Sequence, residues 1–165
     1  MQNLKFIEMT ESDLQVVKNI YDYYILNSTA TFHMTPLTFT ELKEFIFIGH
    51  SVYKSYIIQF EDVTYGFCFL TQYKKRPAYD RTAEITVYLK PEMTAKGIGS
   101  ETLKFLEQQA KQVGLKNIVG IISGENDGSI RLFEKSGYMK CAHFKNIGEK
   151  FGRILDVVAY QKEIE

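Results

Sequence analysis

Tryptophan is absent from the 165 residues, proline occurs three times and cysteine twice. So few cysteines exclude a disulfide scaffold. Cys68 and Cys141 lie far apart and match no metal-ligand spacing, so a reducing compartment and no metal are expected. No apolar run approaches ~18 residues, and Met1 to Lys5 lack the apolar core of a signal peptide. A cytoplasmic protein without a membrane partner is the resulting expectation. Charge of one sign is missing too, with 20 Lys and Arg against 20 Asp and Glu. That balance argues against a nucleic-acid partner held by a strong positive field. Repeats, low-complexity tracts and linkers are also lacking, so residues 1–165 are expected to form one domain. What the chain does hold is 45% hydrophobic residues and a bunched set of 12 Phe and 11 Tyr.

Lys5 to Met9 alternate like a short strand, and Leu14, Val17, Ile20, Tyr21 and Tyr24 recur at helical spacing up to about Asn27. Thr38 with Glu41 forms a capping-box pattern for a second helix through Phe47. Tyr56 to Phe60 and Thr64 to Gln72 predict a hairpin, with a polar, aromatic loop after it. A strand over Ala83 to Leu89 follows, then glycines, then a helix closed by Gly114. Ile118 to Ile122 predict a strand and Asn126 to Ser136 a helix. Two last strands, Tyr138 to Phe144 and Ile154 to Gln161, are expected around a Gly-rich loop holding Gly148 and Gly152. The order implies an α/β (α+β) fold, one central mixed sheet flanked by helices.

The chemistry-bearing segment is Thr94-Ala95-Lys96-Gly97-Ile98-Gly99-Ser100. A strand ends, side chains vanish at two positions, and a helix begins, so backbone N–H groups can approach an anion such as a pyrophosphate. No Gly-Lys-Ser/Thr follows at the spacing of a Walker loop, and a dinucleotide fingerprint needs three glycines after the first strand. Two glycines before a helix also occur as a plain tight turn.

The segment resembles the pyrophosphate signature of the GNAT superfamily of acetyl-CoA-dependent N-acetyltransferases, Gln/Arg-x-x-Gly-x-Gly/Ala, with Thr94 replacing the longer first side chain. Asn126-x-x-Ser129 and Leu132-Phe133-Glu134-Lys135-Ser136-Gly137-Tyr138 resemble its next motif. The likeness narrows to the phosphinothricin N-acetyltransferase-like branch and spans nearly the whole chain. Asn27 to Phe32, Arg76-Pro77-Ala78-Tyr79, Thr82 to Tyr88 and Lys150-Phe151-Gly152-Arg153 carry it. The resemblance implies a GNAT fold with a mostly antiparallel sheet. It also implies a homodimer and an acetyl-CoA-dependent enzyme acting on small acidic amino acids or analogues such as phosphinothricin, methionine sulfone and methionine sulfoximine. Another amine (a protein N-terminus, a polyamine, an antibiotic) or a non-catalytic acetyl-CoA sensor are the competing readings.

Direct acetyl transfer needs a deprotonated amine, and the resemblance puts the base at Glu84, inside an otherwise apolar strand. By pattern alone Glu84 reads equally as an outward-facing strand carboxylate. The resemblance places the cofactor against Val87, Tyr88, Leu89, the loop Thr94, Ala95, Lys96, Gly97, Ile98, Gly99 and Ser100, and Asn126 with Ser129. Asn126 also reads as a plain helix N-cap. Phe32, Arg76, Tyr79, Lys150 and Phe151 are the expected substrate contacts, the cations serving an anionic acceptor. Phe133 stands where many relatives carry a proton-donating Tyr or His, so no general acid is assigned. His33 stands where the branch often has an acidic residue.

Overall fold

The computed structural model describes residues 3–165, so Met1 and Gln2 of the amino-terminal stretch lie outside the described residues. Seven strands are present: β1 (Lys5–Glu8), β2 (Ser55–Phe60), β3 (Val63–Gln72), β4 (Thr82–Leu89), β5 (Asn117–Ser123), β6 (Met139–Lys150) and β7 (Arg153–Glu163). They form one sheet in the order β1-β2-β3-β4-β5-β7-β6. Every neighbouring pair is antiparallel except β4–β5, which the helix between them makes parallel. Among the described residues four α-helices pack on the sheet: α1 (Leu14–Asn27), α2 (Phe39–Leu42), α3 (Ile98–Gln112) and α4 (Asp127–Lys135). None of the described helices is long and apolar enough to cross a membrane.

Strand alternation divides the core into two layers. One face of the sheet, carrying Ala83, Ile85, Ile118 and Ile122, buries Leu103, Leu106 and Ala110 of α3 and Phe133 of α4. The opposite face, with Ile57, Phe67 and Phe69, buries Val17, Ile20, Tyr21 and Ile25 of α1 and Leu42 of α2. Tyr88 packs on this second side, so Glu84 and Thr86, in phase with it along β4, face the α1 layer.

Two expectations need correction. The second helix is a single turn, not a helix through Phe47, although Leu42 and Ile46 keep helical spacing and are both fully buried. Beyond Leu42 the chain continues in turns, with Ile46 N still donating to Leu42 O at 3.0 Å. The expected Gly-rich loop near the carboxyl end shrinks to the two-residue turn Phe151-Gly152, both with positive φ. Gly148 belongs to β6 instead. A Cβ there would lie 2.6 Å from the Phe32 ring, so this glycine serves close packing rather than a turn.

Candidate active site

The parallel ladder between β4 and β5 ends at Glu84 opposite Val119, yet β4 continues to Leu89 and β5 to Ser123. Beyond Glu84 the two strands diverge, leaving one edge of β4 without a strand neighbour. The other edge stays paired to β3 as far as Leu89 opposite Gly66. Gly66 is required there, because a Cβ would lie 2.2 Å from Tyr88 O.

A cleft of about 1550 Å³ opens at the divergence. A single small-molecule pocket measures ~300–1,000 Å³, so this volume suits a long ligand and a second, smaller one together. Val87, Tyr88 and Leu89 line it from β4, and Ile121 and Ile122 from β5. The unpaired β4 edge can hydrogen-bond an extended, amide-bearing ligand as an added strand would.

At one end the cleft meets the start of α3. Ala95 and Gly97 both have positive φ (59° and 81°), an alternation that turns successive N–H groups toward one concave side. Thr94, Ala95, Gly97, Gly99 and Ser100 line the cleft, whereas the side chain of Ile98 is buried in the core and Lys96 is exposed outside the lining. Gly99 has a packing duty as well, since a Cβ would lie 2.8 Å from Leu132 of α4. The Thr94 hydroxyl is turned back, donating to Pro91 O at 2.9 Å. Asn126 caps α4, its Oδ1 accepting from Ser129 N at 3.2 Å, and both residues line the cleft. Serving as an N-cap thus leaves Asn126 on the cleft wall. These backbone donors, glycines and capping polar groups fit a pyrophosphate-bearing cofactor with an extended arm.

Glu84 lines the cleft where the strands part and is half-buried. Burial raises its pKa from the ordinary 4.5, with the Lys74 ammonium pulling the other way. A carboxylate displaced upward in this manner is suited to accept a proton near neutral pH. Phe32, His33, Tyr73, Lys74 and Lys75 stand on the walls beyond it.

The expected substrate contacts divide. Phe32 lines the cleft, but Arg76, Tyr79, Lys150 and Phe151 stand outside its lining. Arg76 is exposed on the loop after β3, and Tyr79 meets Tyr73 edge-on at 5.7 Å. Phe151 is 56% exposed at the hairpin turn, where the tightness of a two-residue connection holds it at φ 53°. Lys150 is only 2% exposed, and its Nζ donates to Ser28 O and Thr31 O, both at 2.8 Å. Its amine is a strut between β6 and the segment after α1. Arg153 pairs with Glu125, which also accepts from Thr29.

Phe133 is buried against Gly120, with its ring 4.9 Å from Tyr138, and offers no proton. Cys68 is buried, which pushes its thiol well up, and Cys141 lies on exposed β6. Among the described residues no group of three or more His, Cys, Asp or Glu is arranged to hold a metal. Sequence reasoning marked Tyr21 and Tyr24 of α1 only by their helical spacing. Tyr21 and Tyr24 also line the cleft, and the Tyr24 hydroxyl donates to Leu89 O. The aromatic bunching was the available signal.

Residues 7–159 match the acetyltransferase (GNAT) domain family. The chain is 31% identical to phosphinothricin N-acetyltransferase of Streptomyces viridochromogenes over 94% of its own length and 85% of the relative's. It is 26% identical to the L-methionine sulfoximine/L-methionine sulfone acetyltransferase of Salmonella typhimurium, covering 94% and 91% of the two chains. Among solved structures, a GNAT superfamily phosphinothricin acetyltransferase from Sinorhizobium meliloti in complex with AcCoA superimposes with a TM-score of 0.90. That likeness comes at 26% identity and covers 98% of this chain and 88% of that one. The glycine-turned loop, the parted strands and these relatives together place the chain in the GNAT family, as an acetyl-CoA-dependent acetyltransferase of the phosphinothricin N-acetyltransferase-like branch.

Proposed function

We propose that this enzyme acetylates the α-amino group of a small acidic amino acid or analogue of the phosphinothricin, methionine sulfone or methionine sulfoximine type. The observation that carries the reading is Glu84, a carboxylate with a raised pKa at the point where β4 and β5 part. Acetyl-CoA supplies an acetyl group activated as a thioester. Val87 and Leu89 offer backbone groups along the open β4 edge, the loop from Thr94 to Ser100 offers N–H donors to phosphate, and Asn126 and Ser129 flank it. An amino-acid ammonium has a pKa near ~9, so at neutral pH it must lose a proton before it can attack. Glu84 takes that proton, directly or through one water. Lys74 and Lys75 line the cleft alongside Glu44 and Glu84, and their ammonium groups can pair with an anionic substrate.

A thiol-release screen over phosphinothricin, methionine sulfone, methionine sulfoximine, polyamines and peptide N-termini tests the acceptor class. Preference for the first three is expected, and preference for polyamines would refute it. Glu84→Gln is expected to lower kcat at pH 7 by ~10²-fold or more, with acetyl-CoA affinity preserved. Turnover within a few-fold of the parent would remove Glu84 from the reaction.

The reading extends to a homodimer. The outermost hairpin exposes Phe144, Ile147 and Ile154, with 47–59% of each accessible, next to the unpaired edge of β6. The cytoplasm, where acetyl-CoA is available, is the compartment this reaction implies.

A further inference from the structure

Behind the wall that Phe32 and His33 present to the cleft sits a charge with no counterion. Lys150 is buried, its two hydrogen-bond acceptors are neutral carbonyls, and none of the ion pairs among the described residues includes it. Its ammonium sits 5.0 Å from the centroid of the Phe151 ring and acts electrostatically on His33. The group next in line is His33, which is exposed toward the cleft and stacks on Phe45 with centroids 5.6 Å apart. Burial, and after it the Lys150 ammonium, lower the His33 pKa from 6.5, so the ring is neutral at pH 7 and carries one N–H.

The surrounding network decides where that proton sits. Tyr21 Oη lies 2.5 Å from His33 Nδ1 and 2.6 Å from Thr31 Oγ1. A phenol is a stronger acid than a neutral imidazole N–H, so the favoured chain runs Thr31 O–H to Tyr21 Oη and Tyr21 O–H to His33 Nδ1. Nε2 then keeps the proton. The carboxylate of Glu41, which acts on His33 in the opposite sense, accepts from Thr38 N at 2.7 Å.

We infer that His33 Nε2–H, with the Lys150 ammonium behind it, is a recognition point for an anionic oxygen of the acceptor. His33 touches the substrate; Lys150 acts through it and through the segment it anchors. The inference deepens the acceptor reading above and rests on it for its kinetic test.

The test compares the parent enzyme with His33→Phe, which keeps the stack on Phe45 and deletes the donor, and with His33→Gln, which keeps a donor. Phosphinothricin, norleucine and 3-(methylsulfonyl)propylamine are the acceptors. They respectively hold both anionic groups, only the α-carboxylate, and neither. A KM rise of ~10-fold or more in His33→Phe is expected for acceptors holding the recognised group. Changes within twofold are expected in kcat and in the KM for acetyl-CoA, with KM largely rescued in His33→Gln. A rise for phosphinothricin and norleucine identifies the α-carboxylate; a rise for phosphinothricin alone identifies the phosphinate. An equal loss on all three acceptors, or no loss, overturns the inference.

A second readout separates this result from the acceptor reading. In the parent protein, titration with phosphinothricin followed by imidazole ¹⁵N NMR should show a protonated Nε2 whose shift moves on binding. An enzyme that turns over only polyamines would refute the acceptor reading, while the NMR titration still decides the His33 subsite. An unmoved Nε2 signal at saturating phosphinothricin, or a proton on Nδ1, overturns it.

Discussion

Glu84, the base in the proposed reaction, illustrates what a half-buried carboxylate costs its own neighbourhood. Its pKa is raised by burial, so the folded protein binds this proton more tightly than the unfolded chain does. Below about pH 4 both states hold the proton and the group adds no penalty. As pH rises through the folded-state pKa, a charge forms in a site that solvates it poorly, and the associated stability is lost. At neutral pH Glu84 is thus a net liability for stability and an asset for proton removal. Glu84→Gln, which should cripple turnover, is expected to melt at a higher temperature than the parent at pH 7. The gain should shrink toward zero as the pH approaches 4, and thermal melts across that range check it. An unchanged difference at all pH values would mean that ionisation is not the cause. Lys150 is the complementary case: a residue whose position suggested direct substrate contact proves to have its amine bound to two carbonyls.

Among the elements, α4 depends most plainly on a missing side chain. A Cβ at Gly120 of β5 would lie 2.2 Å from the Phe133 ring, so helix and strand approach only because position 120 is bare. Gly120→Ala is expected to destabilise the protein by ~1–3 kcal/mol through overpacking. Adding Phe133→Leu should recover part of that loss, because the clashing ring is removed. Chemical denaturation of the two single variants and the double variant measures the coupling, and strict additivity would refute the contact. This dependence also marks the limit of sequence reading. Periodicity placed α1, α3 and the strands around the cleft, since those elements bury apolar stripes, whereas α4 buries only Phe133 and was marked by Asn126 and Gly137 at its ends. It misjudged Gly148, because a glycine that admits the Phe32 ring looks no different from one that makes a turn. It overextended α2, where Leu42 and Ile46 are buried at helical spacing without a continuous hydrogen-bond ladder. The cofactor side was legible because it is contiguous: strand, glycine loop and helix follow one another within residues 82–112. The acceptor side was less so, since Tyr21, His33 and Lys74 come from distant segments that reach one cleft only through tertiary packing.

For the molecule as a whole, the open question of shape is set by the β6–β7 hairpin. Its exposed Phe144, Ile147 and Ile154 lie at the margin of the sheet, away from the helical cover. Sedimentation equilibrium is expected to return twice the mass of one chain. Ile147→Lys combined with Ile154→Lys should shift the equilibrium to single chains, and a parent protein that sediments as one chain would refute the assembly. The same hairpin reaches back to the other end of the sequence. Lys150 fastens Ser28 and Thr31, Gly148 admits Phe32, and Arg153 joins Thr29 through Glu125. During synthesis, the segment that walls the acceptor leaves the ribosome well ahead of its anchors, with 122 positions between Ser28 and Lys150. A growing chain thus acquires its phosphate-binding loop well before it can grip an amino acid, and acetyl transfer must wait for the hairpin that closes the far wall.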